Sequence, residues 1–384
     1  MSTPFPSADE VDLVPPSQPE SQATALGVAA AVAPPGGLTP LQRLLIEALF
    51  PAMTGHAVTV DDHESMTPAD LGAVLARRNL AFRTRGVQIM LLCALVLRPL
   101  PPEVAERVGA FARELEVDDG MVDVARRFAD GALGLAAFDF ERNGYTAEWS
   151  PEQVGSLHTS VRLSQPWDVA VADPGLAARW AALGDLPEGT LGRRVWELYR
   201  ARGFAFPGSP GSAPPLLAQH DWVHVVADFG TTVASELEVF AFIARANDDM
   251  RAFSLLAMVV SLFETGYLRA GAGLFEAFPG NLSAETGMAV RVADAMRRGA
   301  LCHDEATGSD SIDFLQVDWF ELAPLPVEAV RRRFHVPPTS AEAEAAGSIG
   351  PWEPGGISPF QQAAGRDLAE AQGRPYEAYG ADVA

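Results

Sequence analysis

The sequence predicts an all-α fold of two helical bundle-like units with disordered N- and C-terminal tails. Three observations support this prediction. Apolar residues recur at helical spacing along most of the chain, as at Leu41 and Leu45. Helix-start signals precede these stretches, for example Thr39 followed by Pro40. Between residues 38 and 140, the strict apolar–polar alternation of a half-buried strand never exceeds a few residues.

The N-terminal unit is predicted at residues 38–140. It follows residues 1–37, which are rich in Pro, Ser, Ala and Gly and are predicted to be a disordered lead-in. Its predicted helices begin at Thr39-Pro40, Thr67-Pro68, Gly86, Pro101-Pro102 and Asp118-Asp119. The sequence assigns no chemistry to this unit, so structural support or partner binding is its expected role.

A second helical unit is predicted at residues 165–338, after a polar, turn-rich junction at residues 141–164. Its helices are predicted to start at Asp173 and then to cover residues 189–202, 215–229, 232–246, 250–267, 285–298 and 326–334. After Pro337 the composition shifts to Ala, Gly, Pro and Glu without periodicity. Residues 339–384 are therefore predicted to be a disordered tail.

Composition excludes several classes of function. The 384 residues suit one large domain or two ordinary ones, and 48% hydrophobic residues are ample for buried cores. The 28 basic and 50 acidic residues give a net charge of −22, which argues against nucleic-acid binding. Every basic residue is arginine, so a P-loop lysine, a Schiff-base lysine and a lysine general base are all excluded.

The cysteines and apolar runs indicate the compartment. Cys93 and Cys302 have no nearby partner, so they predict neither a disulfide framework nor a cysteine-based zinc site. The acidic start resembles neither a signal peptide nor a transit peptide. The longest apolar runs, residues 87–97 and 252–263, are shorter than the roughly 20 residues that a membrane span needs. These features predict a cytoplasmic protein with at most peripheral membrane contact.

One constellation carries recognisable chemistry. His220 and His224 stand four residues apart on a predicted helix, so both imidazoles lie on one face and can reach the same ion. Asp221 and Glu236 complete the pattern His-Asp-x-x-His-x11-Glu, and imidazole with carboxylate suits zinc or another borderline divalent metal. The alternative is a pair of core histidines with Glu236 on the surface, and spacing alone leaves both interpretations open.

Glu236 can share that ion only if the helix ends between it and His224. On one straight helix the two residues would lie about 18 Å apart, at about 1.5 Å per residue, and on different faces. Residues 228–232 (Asp-Phe-Gly-Thr-Thr) offer Gly230 as the C′ glycine, the residue just past the end of one helix. A threonine then serves as the N-cap of the next helix. The sequence therefore predicts a break that folds Glu236 back towards the histidines.

Through this motif, residues 165–338 resemble the coenzyme Q (ubiquinone) biosynthesis protein 4 family. The family's hallmark is the complete pattern formed by His220, Asp221, His224 and Glu236. Softer similarities lie in residues 187–192, 199–204, 296–300, 318–321 and 330–334. The resemblance covers nearly half of the chain. The chain departs from the family at Ser235, where members commonly have glycine, and residues 38–140 have no counterpart in its short members.

The resemblance implies an all-helical, membrane-peripheral protein of ubiquinone biosynthesis. The family is associated with oxidative decarboxylation of a prenylated 4-hydroxybenzoate-type precursor and with holding the biosynthetic assembly together. By carry-over, His220, His224 and Glu236 would be metal ligands, with Asp221 a fourth ligand or the acceptor that orients a histidine. The expected cofactor is a divalent metal, zinc. The expected partners are a prenylated aromatic or isoprenoid lipid and other enzymes of quinone synthesis.

Two functions lead: a metal-dependent decarboxylase, and a non-catalytic scaffold that binds an isoprenoid or quinone lipid around a structural metal. A helical protein of another pathway that kept the site is a third interpretation. A catalytic ion needs an open coordination position, whereas a structural ion is closed off by four protein ligands. The apolar residues 252–263, followed by Glu264, are interpreted as a core helix in preference to the wall of a lipid groove. Other polar clusters are interpreted as surface features, namely those around His56 and His63, at His303, at Arg297-Arg298 and at Arg331-Arg332-Arg333.

Overall fold

The computed structural model describes residues 15–60, 66–97, 100–117, 172–210, 212–213, 215, 218–246 and 287–382. Over these ranges the chain is mainly helical, and β-pairing is limited to two isolated bridges, Thr190 with Pro326 and Asp304 with Ser309. The predicted all-α fold is confirmed. Within the same ranges, every helix is too short or too polar to cross a membrane.

In the N-terminal part, the described helices are α1 (Gln18–Val32), α2 (Pro40–Thr54), α3 (Pro68–Val74), α4 (Leu80–Leu95) and α5 (Pro102–Glu114). The predicted starts at Thr39 and Thr67 are confirmed, because each threonine accepts a hydrogen bond from a backbone N–H in a capping box. Helix α4 begins before the predicted Gly86, because the Asn79 side chain caps it. The helix predicted after Asp118 lies outside the described residues.

Helix α1 lies where the sequence predicts a disordered lead-in, so the structure differs from that expectation over residues 18–32. Ser17 and Glu20 form a capping box at its start. The helix packs against α2, α3, α4 and α5, and Val28 and Val32 are fully buried. A helix that is enclosed on several sides needs no apolar stripe, so its run of alanine and valine shows no helical period.

The helices of the second half are α6 (Pro174–Ala181), α7 (Leu191–Arg202), α8 (Gln219–Ala227), α9 (Val233–Ala246), α10 (Met288–Leu301), α11 (Trp319–Leu322), α12 (Val327–Arg333), α13 (Ala341–Ala345) and α14 (Pro359–Ala371). A short 3-10 helix, Ala182–Asp185, follows α6. Helix α10 packs against α9 and also against α2, so buried apolar side chains form one continuous core through both halves. The predicted helix at residues 250–267 lies outside the described residues.

Helix α8 sits at the centre of the second half, and every one of its residues is buried. Trp222 projects from the side opposite the two histidines, since residues two apart point in nearly opposite directions on a helix. Its ring stacks on Trp319, with 6.1 Å between centroids, and also contacts Trp180 and Phe320. This aromatic cluster fixes the rotation of α8 and thereby directs the histidine face towards α9.

Helices α13 and α14 lie in residues 339–382, here called the C-terminal segment, where the sequence predicts a disordered tail. The structure differs because this segment docks by close backbone approach and polar contacts. A Cβ at Gly365 on α14 would lie only 2.1 Å from the carbonyl oxygen of Ala201 on α7, so only glycine fits there. Such contacts leave no hydrophobic period in the sequence.

The two cysteines provide a simple test of this packing. Cys93 and Cys302 are free thiols, 0% and 2% exposed. Burial raises the pKa of Cys302 to about 12 and also raises the pKa of Cys93. At pH 8 we therefore expect a chromogenic disulfide reagent to react slowly with the native protein, and rapidly with both thiols in denaturant. Rapid reaction of both thiols without denaturant would contradict the described packing.

Candidate metal centre

Helix α8 ends at Ala227 and α9 begins at Val233, so the predicted helix break is confirmed. The residues between them, 228–232, are here called the α8–α9 turn. The residue that ends α8 in the left-handed conformation is Asp228, with φ 61° and ψ 51°, and not the predicted Gly230. The threonine cap is Thr232, whose hydroxyl accepts a hydrogen bond of 3.3 Å from the backbone N–H of Ser235.

Gly230 has a different role from the one predicted. A Cβ at this position would lie 3.0 Å from both the Cα and the carbonyl oxygen of Gly356 in the C-terminal segment. The sequence signal for a glycine in this turn was therefore correct, but its cause is the close approach of another chain segment.

The turn brings the four motif residues together. Nε2 of His220 lies 3.3 Å from Oε2 of Glu236, and Nε2 of His224 lies 3.3 Å from Oε1 of the same carboxylate. Oδ1 of Asp221 lies 3.4 Å from Nε2 of His220. His220, Asp221 and His224 form a cluster that could hold a metal ion, with ligand atoms all within 4.8 Å of one another. Glu236 closes this cluster from the second helix.

These separations suit donor atoms that share an ion. Ligand atoms held about 2.1 Å from a tetrahedral ion are about 3.4 Å apart. Nε2 of His224 and Oε2 of Glu236 are buried, and neither has a hydrogen-bond partner among the described residues. Since buried polar groups are nearly always partnered, these two atoms mark a place where a cation fits.

Neighbouring groups fix the orientation of the four side chains. The backbone carbonyl of Phe229 lies 3.3 Å from Nδ1 of His224, which places the proton on Nδ1 and leaves Nε2 facing Glu236. The hydroxyl of Tyr199 donates a 2.5 Å hydrogen bond to Oδ2 of Asp221. These contacts are of the kind that orient metal ligands. The spacing of the motif predicted neither Phe229 nor Tyr199 as a partner, although Tyr199 lies in one of the stretches that carry the family resemblance.

The site is buried, and its charges affect one another strongly. The exposed fractions of the motif residues are 5% for His220, 6% for Asp221, 0% for His224 and 3% for Glu236. Burial alone would raise the pKa of Glu236, but the two histidines outweigh it and lower that pKa to about 2. Burial raises the pKa of Asp221 despite the opposing effect of both histidines. Burial, reinforced by Asp221, also raises the pKa of Tyr199. The phenol therefore stays protonated and donates its hydrogen bond to Asp221.

The arginines behind α8 correct another expectation. Arg298 was interpreted as a surface residue, but it is 1% exposed and donates to the carbonyl of Ala227, the last residue of α8. Arg331 donates to the carbonyls of Val225 and Val226, at 3.0 and 2.9 Å. Both guanidinium groups therefore stabilise the C-terminal end of the helix that carries the histidines.

The remaining predicted features do not join the site. The ring of His303 stacks on that of His335, with 3.6 Å between centroids, away from the motif residues. His63, the apolar residues 252–263 and Glu264 lie outside the described residues. Comparisons of the chain with models of protein families, with curated proteins and with solved structures found no match. The donor set and its geometry are therefore the features of this chain that indicate a function.

Proposed function

We propose that this chain is a ubiquinone-biosynthesis-like protein, a metal-dependent decarboxylase of a prenylated hydroxybenzoate-type precursor. The observation that carries the proposal is the buried cluster of His220, Asp221 and His224, with Nε2 of each histidine 3.3 Å from an oxygen of Glu236. These donors are the same residues through which the chain resembles the coenzyme Q biosynthesis protein 4 family.

The proposed ligands are His220, His224 and Glu236, with Asp221 either a fourth ligand or the group that orients His220. Zinc is the proposed ion, because imidazole and carboxylate donors without a thiolate suit zinc among the divalent metals. When bound, the ion would supply a Lewis acid that stabilises negative charge on the carboxylate or phenolic oxygen of the substrate.

The protein's own groups prepare the site for that cation. Burial raises the pKa of Glu236, but both histidines lower it by more, so its carboxylate supplies negative charge to the site. The carbonyl of Phe229 accepts from Nδ1 of His224, so the Nε2 position is the one that an ion would occupy in place of a proton. Tyr199 occupies Oδ2 of Asp221 and leaves Oδ1 towards His220. Burial lowers the local dielectric constant and strengthens each of these interactions.

Loss of the carboxyl group can follow either of two balanced reactions, simple or oxidative decarboxylation. In simple decarboxylation the bond between the ring and the carboxyl group breaks, carbon dioxide leaves, and the electron pair left on the ring carbon takes up a proton. In oxidative decarboxylation a hydroxyl group replaces the carboxyl group, and the substrate loses two electrons. With dioxygen as the oxidant, water supplies the hydroxyl group and the products are the phenol, carbon dioxide and hydrogen peroxide.

One observation favours a second candidate, a non-catalytic scaffold that binds an isoprenoid or quinone lipid. His220, Asp221 and His224 form the cluster, Glu236 faces both histidines, and all four residues are buried, which is typical of a closed structural metal site. In that case the ion would hold α8 and α9 together, and the protein would present a lipid intermediate to other enzymes of quinone synthesis.

We place the protein in the cytoplasm with at most peripheral membrane contact. Its two cysteines are free thiols, which suits a reducing compartment. A prenylated substrate resides in membranes, so the protein would meet it at a membrane surface beside the other enzymes of the pathway. The net charge of −22 opposes binding to nucleic acid.

Release of labelled carbon dioxide tests the catalytic proposal. The zinc-loaded chain would be given a ring-prenylated 4-hydroxybenzoate labelled in its carboxyl group, with and without dioxygen. We expect wild-type protein to release the label and the double variant His220→Ala, His224→Ala to release none. The control variant Glu103→Gln, at an exposed residue on α5, should behave as wild type. Equal release by the double variant would contradict the proposal. Absence of release, together with an isoprenoid extracted from the purified protein, would favour the scaffold.

A further inference from the structure

The C-terminal segment docks directly on the α8–α9 turn. The backbone N–H of Gly230 donates to the carbonyl of Ile349 at 2.7 Å, and the N–H of Thr231 donates to the carbonyl of Gly356 at 3.0 Å. The side-chain amide of Gln361 donates to the carbonyl of Thr231 at 2.8 Å. Three backbone groups of the turn are thus held by a part of the chain more than a hundred residues away.

A buried side-chain network reinforces these backbone contacts. The hydroxyl of Thr231 accepts a 2.5 Å hydrogen bond from Nε of Arg202 and donates one of 2.8 Å to Oε1 of Gln361. A terminal nitrogen of Arg202 donates to the carbonyls of Pro351 and Gly356, at 2.8 and 3.0 Å. Thr231, Arg202 and Gln361 are each no more than 2% exposed. In such a low-dielectric setting, hydrogen bonds to a charged group are strong.

The same network is linked to the donor groups by charge. Burial lowers the pKa of Arg202, and Coulombic interactions with Tyr376, Glu236 and Asp221 oppose that shift. The guanidinium also lies 5.7 Å from the ring centroid of Trp352 in the C-terminal segment. Arg202 therefore interacts with both the donor groups and the segment that covers the turn.

The turn determines where Glu236 lies. Helix α9 begins directly after it, and the N–H of Glu236 donates to the carbonyl of Thr232 at 2.9 Å within the first helical turn. A shift of the α8–α9 turn therefore moves the Glu236 carboxylate with it, whereas the two histidines stay on α8. Metal–ligand distances tolerate deviations of only about 0.2 Å, so small shifts in the turn are expected to change metal binding.

We propose that the C-terminal segment is a positioning element of the metal centre, acting through Thr231, Arg202 and Gln361 on the α8–α9 turn. This inference rests on the metal centre proposed above and adds three positioning residues to it. None of the three is a proposed ligand. Their effect is to hold Glu236 opposite the two histidines.

Substitution of Thr231 tests the proposal. Thr231→Val keeps the shape of the side chain and removes the hydroxyl, whereas Thr231→Ser keeps the hydroxyl. Thr24→Val is the matched control, because Thr24 is 3% exposed and its hydroxyl donates only within α1, at 2.7 Å to the carbonyl of Glu20. Each full-length variant would be loaded with Co²⁺, whose visible absorption reports the coordination geometry, and its affinity for Co²⁺ would be measured by competition with a chelator.

We expect Thr231→Val to bind Co²⁺ about 10- to 100-fold more weakly, the usual effect of removing a partner behind the ligands, and to alter the absorption bands. Thr231→Ser and Thr24→Val should resemble wild type. Wild-type affinity and spectrum in Thr231→Val would overturn the positioning role while leaving the metal centre intact. Failure of the wild-type chain to bind Co²⁺ at all would overturn the metal centre and this inference together.

Limited proteolysis of the wild-type chain gives a second test that needs no variant. Because binding is reciprocal, a metal that requires the docked segment must also stabilise its docking. Arg366, exposed on α14, provides a tryptic site in the segment, and exposed Arg77 provides a reference site far from it. Co²⁺ should slow cleavage at Arg366 relative to cleavage at Arg77. An unchanged ratio of the two rates would overturn the proposal, even if Thr231→Val fails to fold.

Discussion

His224→Ala is expected to weaken the binding of a divalent metal by at least about 100-fold. A structural zinc site contributes about 10–16 kcal/mol, so each of four ligands accounts for about 3 kcal/mol. His224 is fully buried and its Nε2 lies 3.3 Å from Oε1 of Glu236, so the substitution removes one of the two imidazoles that face this carboxylate. Competition with a chromophoric zinc chelator measures the loss.

Two further variants complete this test. Glu236→Gln keeps the size of the side chain and removes its charge, so it should also weaken zinc binding strongly. His303→Ala removes a histidine from a loop outside the site and should bind zinc as tightly as wild type. If His224→Ala retained wild-type affinity while its circular dichroism showed a folded chain, the pair on α8 would be two core histidines and not metal ligands.

Gly299→Ala is expected to lower the free energy of unfolding by about 1–3 kcal/mol or more, as over-packing of a core does. A Cβ on Gly299 of α10 would lie 2.2 Å from the carbonyl oxygen of Phe242 on α9. That oxygen belongs to the backbone, so the two helices must separate to admit one methyl group. Urea denaturation followed by circular dichroism measures the change as a lower midpoint at unchanged slope.

Gly86→Ala is the matched control for this substitution. Gly86 also lies inside a helix, α4, but a Cβ there would meet nothing within 4 Å. Alanine restricts the unfolded chain more than glycine does, so this variant should be more stable by about 0.4–1 kcal/mol. A lower free energy of unfolding for Gly299→Ala and a higher one for Gly86→Ala would support the close approach of α9 and α10. Equal effects would contradict it.

Much of the candidate site was predictable because its signals are local. The i, i+4 spacing of His220 and His224 requires only that α8 be a helix. The need for a break before Glu236 follows from helix geometry, and the turn residues between the helices offered one. The structure brings Glu236 within 3.3 Å of both imidazoles, as that argument requires.

The docking of the C-terminal segment was not predictable, although Ser358, Pro359 and Gln361 give a local signal for the start of α14. The segment's composition lacks the apolar period that marks a surface helix, yet α14 docks on α7 through glycine and polar side chains. Arg202 and Gln361 form hydrogen bonds across more than a hundred residues of sequence, a separation that neither propensity nor periodicity reports. The α8–α9 turn shows the same limit of local prediction. Gly230 was expected to be the left-handed residue, but Asp228 takes that conformation, and Gly230 is needed because Gly356 packs against it.

Helix α1 was also not predicted, in this case because its apolar residues are spread over most of its faces. Its residues are apolar and small on most faces, because four other helices surround it. An amphipathic stripe marks a helix that lies on a surface, and a central helix has none. The capping box of Ser17 and Glu20, with Pro19 in the first turn, is a local signal of its start.

The metal content of the full-length chain as purified from cells tests the central claim most directly. Inductively coupled plasma mass spectrometry would be applied to wild-type protein and to the double variant His220→Ala, His224→Ala, both checked for folding. The motif residues should hold zinc in a one-to-one ratio with the wild-type chain, and the double variant should hold almost none. A wild-type chain without a divalent metal, or a double variant with as much of it as wild type, would contradict the claim that His220, His224 and Glu236 form a metal centre.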